Sequence, residues 1–299
     1  MSETVTFALA LLSLDGVGRV TAGRLLKHFA SYEALRRCPR EQVLFRLKGV
    51  PNAAGLVNLL FDEARMRPHL EAAGERLRAL QEKHIALLAP ARAEAAAPWP
   101  PGLADLPRRL RPVLLYAYGD TALLVRPAVA LFARPPLRQK VFETAQALVR
   151  HLCASGLVPA AGIDHGFDVV VHKLAAGGAG AHPSILVAAC GLARLPAPMR
   201  PVAAAAVRAG GLLCSSFPPD HGPYPHDDRE RALLLAGLAR ATVFFEPRPQ
   251  TPEWAAMTWA LEAGRPVFGI PDPDHPPPET LHRLHRNVDF EWVTTAARV

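Results

Sequence analysis

The chain has 299 residues, 50% of them hydrophobic, and a formal net charge of +7. This length allows one large domain or two ordinary ones, and the apolar fraction allows a sizeable core. Because the sequence has no run of about 18 uninterrupted apolar residues, it excludes a transmembrane helix. The apolar residues 4–14 follow no basic segment, so no signal peptide is expected and the cytoplasm is the expected location.

The cysteines and the charge distribution bear on metal binding and on nucleic-acid binding. The four cysteines lie far apart and form no C-x-x-C pair, which predicts reduced, buried thiols and no metal site. Residues 1–118 carry 17 Lys and Arg against 11 Asp and Glu, whereas residues 119–299 carry 17 against 16. This N-terminal basic excess suits a polyanion, nucleic acid first. The alternative is compositional bias, since only five of the 34 basic residues are lysines.

The first 30 residues predict two short helices around a glycine turn. Phe7–Leu14 and Thr21–Phe29 flank the sequence Leu-Asp-Gly-Val-Gly at 14–18, a pattern typical of a helix-hairpin-helix. The glycines allow a tight turn, and free N–H groups of the second helix can hold a phosphate without reading base sequence. The alternative is a helical packing module that binds nothing. The residues of the predicted contact are Gly16, Gly18, Arg19, Arg24 and Lys27.

The remainder of the N-terminal part continues as helix. A weaker copy of the hairpin lies at 47–51, where Pro51 replaces the second glycine, and a helix is predicted over 62–88. Residues 91–112 are rich in Ala and Pro, which predicts a linker. The expected organisation is a helix-hairpin-helix domain over 1–90, this linker, and a second domain over 113–299 with a short C-terminal tail.

Short apolar segments alternate with helical ones in the second domain. The apolar segments lack polar alternation, which is typical of strands buried on both faces. We predict an α/β fold with a Rossmann-like parallel sheet and flanking helices, in which a ligand sits outside the C-terminal strand ends. The predicted strands are Val113–Tyr118, Ala128–Phe132, Leu157–Ala161, Ile185–Ala189, Gly211–Cys214, Thr242–Phe245, Val267–Ile270 and an edge strand at Phe290–Val293.

The turn after the strand at 128–132 carries a candidate phosphate ligand. Arg134 stands there beside the start of a helix, where a guanidinium can pair with phosphate. The glycines of a dinucleotide fingerprint are missing at this turn, so a nicotinamide-dinucleotide site is not expected.

The next strand leads into a turn with two glycines. Gly162 and Gly166 allow a ligand to approach the backbone closely, and His165 and Asp168 are expected to line the pocket without catalysing a reaction. His172 shares a helix face with Asp168. The alternatives are a helix-capping role for Asp168 and, favoured for His172, a partly buried structural histidine.

The later strand-end turns are rich in proline and charge. Four prolines stiffen the loop 217–225, and the acidic residues that open the next helix suit the helix dipole but repel phosphate. Arg229 and Arg231 partly offset those acids. Further on, Thr251 is predicted to cap a helix with Pro252 at its first position.

Taken together, these motifs resemble the DNA-processing protein family called DprA or Smf, over about residues 7–272. The matching segments are 14–29, 99–103, 114–120, 161–172, 189–191, 215–219, 236–238 and 260–271. The family's Gly-Ser-Arg turn corresponds to 132–134, where Arg134 remains, and its Arg-Asn-Arg helix start keeps only Arg231. His165 stands where the family has Arg, and the family's Glu-Ala…Ser-Gly segment falls at Glu246…Thr251-Pro252.

The resemblance implies a cytoplasmic protein that is not an enzyme and uses no cofactor. Family members bind single-stranded DNA, load the recombinase RecA in DNA uptake, natural transformation or recombination, and dimerise through the Rossmann-like domain. The implied DNA-contacting residues are Arg134, Gly162, His165, Gly166, Asp168, His172, Arg229 and Arg231 in that domain. The alternatives are a nucleotide-binding or nucleotide-hydrolysing relative and a scaffold paralogue that has lost DNA binding.

Overall fold

The computed structural model describes residues 3–90, 99–164, 166–177, 180–271 and 290–292. The chain divides into two compact units, one formed by residues 1–99 with 107–115 and the other by residues 100–106 with 116–299. Both units therefore draw on the segment 99–115, which overlaps the predicted linker. The division into 1–90, 91–112 and 113–299 stays a prediction.

The first unit is helical. Its helices are α1 (Glu3–Leu12), α2 (Arg19–Leu26), α3 (Tyr32–Arg36), α4 (Arg40–Arg46), α5 (Ala53–Phe61) and α6 (Glu63–Glu82), followed by the short strand β1 (Ala86–Leu88). Each helix places an apolar face inward, and the side chains of Leu11, Leu25, Leu35, Leu47, Leu60 and Met66 are fully buried. The burial of these side chains is the main source of stability for a unit built from helices this short.

The helix predicted over 62–88 ends earlier in the structure, at Glu82. His84 adopts a left-handed conformation with φ 56°, and the N–H of Ile85 donates to the carbonyl of Leu80 over 2.9 Å. This bond pattern closes a helix C-terminus and redirects the chain. The prediction that Leu87 belongs to the helix was therefore wrong, because residues 86–88 form β1.

The second unit is a mixed α/β structure. Its strands are β2 (Leu115–Gly119), β3 (Ala128–Ala133), β4 (Val158–Gly162), β5 (Ile185–Val187), β6 (Leu212–Ser215), β7 (Ala241–Phe245), β8 (Val267–Ile270) and β9 (Phe290–Trp292). Its α-helices are α7 (Gln139–Ala154), α8 (Gly166–Gly177), α9 (Arg200–Arg208), α10 (Asp228–Leu238) and α11 (Pro252–Glu262). The strand predictions are confirmed to within two residues at each end.

These strands lie in the order β2-β6-β5-β4-β3-β7-β8-β9. Neighbours from β6 to β9 run parallel, as predicted, whereas β2 pairs antiparallel with β6. The order reverses between β3 and β7, because β3 to β6 extend to one side and β7 to β9 to the other. In doubly wound sheets ligands bind at such a reversal, outside the carboxyl ends of the strands.

Helices cover both faces of the sheet, which explains the continuous apolar strands. On one face, α7 and α8 pack over β3, β4 and β7 in a cluster that includes Leu131, Leu148 and Phe245. α10 is so deeply placed that every residue from Arg231 to Leu238 is buried. The buried residues include the charged Arg231, whose guanidinium pairs with carboxylates at the strand ends.

Three of the four cysteines are buried and Cys38 is half-buried, all as free thiols. Burial raises the pKa of Cys214 to about 12 and that of Cys190 to about 11. The prediction of reduced, buried thiols is thus confirmed for three of them. No helix within the described residues is long and apolar enough to cross a membrane.

Candidate functional site

Charged side chains from four segments meet at the carboxyl end of the sheet. Arg134 follows β3, Asp164 follows β4, and both the first turn of α10 and the first turn of α11 contribute. β3 and β7 are the two strands between which the strand order reverses, so the sheet topology brings these turns together. We call the group the strand-end cluster; its members are Arg134, Asp164, Asp168, Asp228, Arg231 and Glu253.

Arg134 is held by a two-pronged ion pair. Its Nε donates to Oε2 of Glu253 over 3.0 Å and its Nη2 donates to Oε1 over 3.1 Å. A second carboxylate, Asp228, lies 3.8 Å from Nη2. The Arg134 side chain is 37% exposed whereas that of Glu253 is 7% exposed. The guanidinium therefore stands at the solvent edge with its fork already occupied by a carboxylate.

Glu253 is ionised despite its burial. Burial by itself raises the pKa of Glu253, but the hydrogen bonds from Arg134 and from its own backbone N–H, with the charges of Arg134 and Arg231, bring the pKa below its ordinary value. The side chain is aimed into the cluster by the start of α11. Thr251 caps that helix by accepting from the N–H of Trp254 over 3.1 Å, which confirms the predicted cap.

Arg231 is placed differently from the sequence-based expectation. Its side chain is only 3% exposed, with Nε 2.7 Å from Oδ2 of Asp164 and Nη2 3.8 Å from Oε1 of Glu253. Burial lowers the pKa of Arg231, but the neighbouring carboxylates, Asp164 foremost, outweigh burial and raise it. Arg231 begins the buried part of α10, which runs to Leu238, so its guanidinium is not presented to a phosphate and instead compensates buried carboxylates.

The strand-end cluster contains more negative than positive side chains. Two arginines face four carboxylates, which gives a formal charge of −2. A cluster of this sign does not attract phosphate by its net field. An anion that binds the Nε/Nη2 edge of Arg134 must compete with Glu253 for it.

The two glycines of the β4 turn differ in what surrounds them. A Cβ added at Gly162 would lie 2.3 Å from Nη1 of Arg231 and 2.6 Å from Oδ2 of Asp168. The missing side chain thus makes room for the cluster itself. Gly166, by contrast, is exposed and a Cβ there would meet nothing within 4 Å. Asp168 is buried and accepts from the N–H of Asp164 over 3.1 Å, which fixes the turn.

His172 is a buried structural residue in this fold. Its side chain is 1% exposed, with Nε2 2.7 Å from the carbonyl of Gly162 and Nδ1 3.0 Å from Oγ of Ser184. Because a carbonyl only accepts, Nε2 carries the proton and Nδ1 accepts from the serine. Burial lowers the pKa of His172, more than the Gly162 bond and the Asp168 charge raise it. The neighbouring His165 lies outside the described residues.

The proline loop after β6 is fixed from within. Ser216 donates from Oγ to Oε1 of Glu230 over 2.7 Å, and the rings of Phe217 and His221 stack at 4.5 Å between centroids. Arg229, beside this loop in the first turn of α10, is exposed. It is therefore a cation of this region that is open to solvent.

The end of β7 is a site of backbone strain. Glu246 has φ 46°, a left-handed conformation unusual for a residue with a side chain. Its Oε1 is buried without a hydrogen bond, while Oε2 lies 3.4 Å from Nη2 of Arg248. Strain of this kind concentrates at functional sites, and no local sequence pattern at this position indicates it.

The predicted phosphate contact in the first unit has the expected backbone. Gly16 has φ 77°, and Gly18 precedes α2 without a side-chain cap, so the first-turn N–H groups of α2 meet no capping side chain. Lys27 is exposed and Arg19 half-buried. At the second turn Gly49 has φ 80°, and Arg24 donates from Nη1 to the carbonyl of Lys48 over 2.8 Å.

Sequence reasoning did not find Glu253 as a site residue. It read that position as part of a helix start, although a glutamate in the first turn of a helix at a strand end is a signal that could have been followed. In the part of the chain that the structure describes, no group of three or more His, Cys, Asp or Glu side chains is arranged to hold a metal ion.

The family is identified by a sequence model that matches more than half of the chain. The sequence model of DNA recombination-mediator protein A matches residues 93–298. Protein Smf of Escherichia coli K12 is 32% identical over 123 residues, which is 41% of this chain and 32% of that protein, so the match spans about a third of that relative.

Two solved structures show the same fold. DprA from Streptococcus pneumoniae has a TM-score of 0.62 at 19% identity, covering 94% of this chain and 96% of that one. DNA processing protein A from Helicobacter pylori has a TM-score of 0.59 at 19% identity, covering 72% and 93%.

Proposed function

This chain belongs to the DNA recombination-mediator protein A family, and from that membership we propose that it binds single-stranded DNA and supports the loading of a RecA-type recombinase. Membership of this family supports a role in DNA processing. The finer activity is supported by the likeness to the Helicobacter pylori protein, which is described by its single-stranded DNA binding mode. Its physical basis in this chain is the distribution of charge.

The first unit holds the whole net charge of the chain. It has 17 Lys and Arg and 10 Asp and Glu, a net charge of +7, whereas the second unit has 17 of each. A protein surface of this sign gains affinity for a nucleic acid by releasing its counterions, whatever the base sequence. This asymmetry is the observation that carries the proposal.

The glycine turn before α2 is the proposed phosphate contact of the first unit. The N–H groups at the start of α2 can donate to a phosphate oxygen, and positive charge is added by Arg19 at the first position of α2 and by Lys27 directly after its end. Such contacts fix the strand without reading bases. Gly16 and Gly18 serve the turn and bring no charge of their own.

The second unit contributes a conditional contact. Arg134 and the exposed Arg229 are its proposed phosphate ligands, and Gly166 leaves the turn open beside them. Arg231, Asp168 and His172 hold the turn and the helices in place, and Gly162 makes room for them. A phosphate that binds the Nε/Nη2 edge of Arg134 must displace the carboxylate of Glu253.

The experiment is a fluorescence-anisotropy titration of the full chain with a labelled oligothymidine at several salt concentrations. With roughly three to five phosphates engaged, log affinity should fall against log salt with a slope of about −2 to −3.5. Absence of binding at low salt would end the proposal. Including free nucleotides in the same titration tests the nucleotide-binding alternative.

Charge variants test whether the phosphate contacts lie in the first unit. Arg19→Ala combined with Lys27→Ala should make the slope shallower by about 1.4, since each phosphate contact contributes about 0.7. Lys83→Ala is the matched control, because Lys83 is an exposed lysine of the same unit at the end of α6. Equal slopes for the double variant and the control would show that the DNA lies elsewhere.

The recombinase and a second copy of the chain are the proposed partners. Adding the protein to single-stranded DNA coated with a single-strand-binding protein should shorten the lag before recombinase filaments form, and sedimentation should show a homodimer. One observation favours the alternative of a scaffold protein that has lost DNA binding. Within the strand-end cluster, Arg134 is already paired with Glu253 and Arg231 with Asp164. The scaffold alternative predicts recombinase contact without DNA binding.

A further inference from the structure

The first unit exposes an aromatic ring to solvent. Phe45 is 70% exposed and its neighbour Leu44 is 41% exposed, although both lie on the short helix α4, which buries Val43. Two consecutive large apolar side chains in water are costly unless something covers them. Phe45 is the most exposed of the large apolar residues within the described part of the chain.

A shallow cavity, largely open to solvent, lies beside this ring. Its volume is about 400 Å³, and it is lined by Glu41, Leu44, Phe45, Leu47, Lys48, Gly49 and Ala53. Its lining is mainly apolar, and the glycine turn before α5 forms one wall. Gly49 has φ 80° and no atom within 4 Å of where a Cβ would be, so this wall is low and open.

Basic residues lie in the lining of the cavity and next to its lining residues. Lys48 lines it, Arg24 is attached to the same turn through its bond to the Lys48 carbonyl, and Arg46 follows Phe45 directly. Glu41 is the one acidic residue in the lining. An apolar floor with an aromatic wall and a cationic rim complements a planar base attached to phosphates, rather than an acidic or purely apolar partner.

We infer that this cavity binds a base of single-stranded nucleic acid, with the Phe45 ring as the stacking surface and Lys48 and Arg46 as contacts to the flanking phosphates. The inference rests on the proposed function and adds a site that distinguishes single-stranded from double-stranded nucleic acid. Bases in a duplex are already stacked on their neighbours and cannot offer a face to Phe45. The cavity therefore favours single strands over duplexes, without base-sequence preference.

Phe45→Ala in the full chain should weaken oligothymidine binding about 5- to 50-fold, as expected for the loss of one stacked base. Phe45→Trp should keep the affinity and gain a tryptophan signal that is quenched on binding, measured as the difference from the wild type with its four tryptophans. Duplex affinity should change by less than about 2-fold in both variants, since it depends on phosphate contacts.

Two controls match these variants. Val125→Ala removes an apolar side chain that is 56% exposed in the second unit and should leave binding unchanged. Lys48→Ala should reduce the salt slope by about 0.7 whereas Lys83→Ala should not. Because Phe45 is exposed, its truncation should not unfold the chain, and the melting temperature of each variant checks this.

Three results would overturn the inference. If the wild type binds oligothymidine and Phe45→Ala binds equally well, the cavity holds no base while the proposed function stands. If Phe45→Ala leaves DNA affinity unchanged but abolishes stimulation of the recombinase, the cavity is a protein-docking site. If the wild type binds no single-stranded DNA, the proposed function fails and this inference fails with it.

Discussion

Glu253→Gln should tighten the binding of single-stranded DNA. The carboxylate of Glu253 occupies the Nε/Nη2 edge of the Arg134 guanidinium, which is one of the two edges at which a phosphate could bind with two hydrogen bonds. A neutral amide of the same size keeps the packing of α11 but removes the competing charge. The strand-end cluster then changes from a formal charge of −2 to −1.

The size of the gain follows from the geometry. Opposite charges about 4 Å apart attract by about 4 kcal/mol at an effective dielectric constant of 20. Arg134 is 37% exposed, so solvent screens much of this and exposed pairs retain at most about 1 kcal/mol. An intermediate value of about 1–2 kcal/mol corresponds to about 5- to 30-fold tighter binding.

The assay is the same anisotropy titration at low salt. Glu262→Gln is the matched control, because it makes the same substitution at an exposed position at the other end of α11. Arg134→Ala added to Glu253→Gln should abolish the gain in DNA affinity, which would show that the gain depends on the Arg134 guanidinium. Unchanged affinity in a folded Glu253→Gln protein, or an equal gain without Arg134, would refute the reasoning.

Two further variants test the structural roles of buried charges at the site. Arg231→Met should lower the free energy of unfolding by about 3–5 kcal/mol, because it leaves the buried carboxylates of Asp168 and Glu253 without this cation; a urea-denaturation loss below about 1 kcal/mol would contradict that role. The lowered pKa of His172 means that the unfolded chain, in which the ring titrates near 6.5, binds the proton more readily than the folded one. Its contribution to stability is therefore complete above pH 6.5 and decreases as pH falls below it, by about 1.4 kcal/mol per pH unit. His172→Gln should flatten this part of the stability profile, and parallel profiles would show that the ring is not held neutral.

The sheet could be predicted because its local signals agree. A strand buried on both faces needs an unbroken apolar run, and β3 is such a run from Ala128 to Ala133, all of it buried. The helix starts were equally local, as the Thr251 cap shows. Where the order of strands reverses cannot be read from any one segment, but the alternation of strands and helices restricts it to a few topologies.

The pairing of charges could not be predicted in the same way. Arg134 and Glu253 are 119 positions apart in the sequence, and no local pattern shows which carboxylate meets which guanidinium. Arg231 illustrates the difference. Its position at a helix start suggested a solvent-facing cation, but the helix that carries it is apolar on all sides from 232 to 238, and the part from Arg231 to Leu238 is therefore buried.

The closed ion pairs at the strand ends suggest how the chain divides its contacts with DNA. A contact that must first displace Glu253 contributes the strength of the Arg134–phosphate pair minus that of the Arg134–carboxylate pair, and two such pairs of similar geometry nearly cancel. The second unit, with no net charge, adds no long-range attraction to tip that balance. Most of the standing affinity should then come from the +7 unit, while Arg134 responds to whatever moves or neutralises Glu253. An arrangement of this kind would hold a single strand through the first unit and release it easily from the second, as the proposed role in recombinase loading requires.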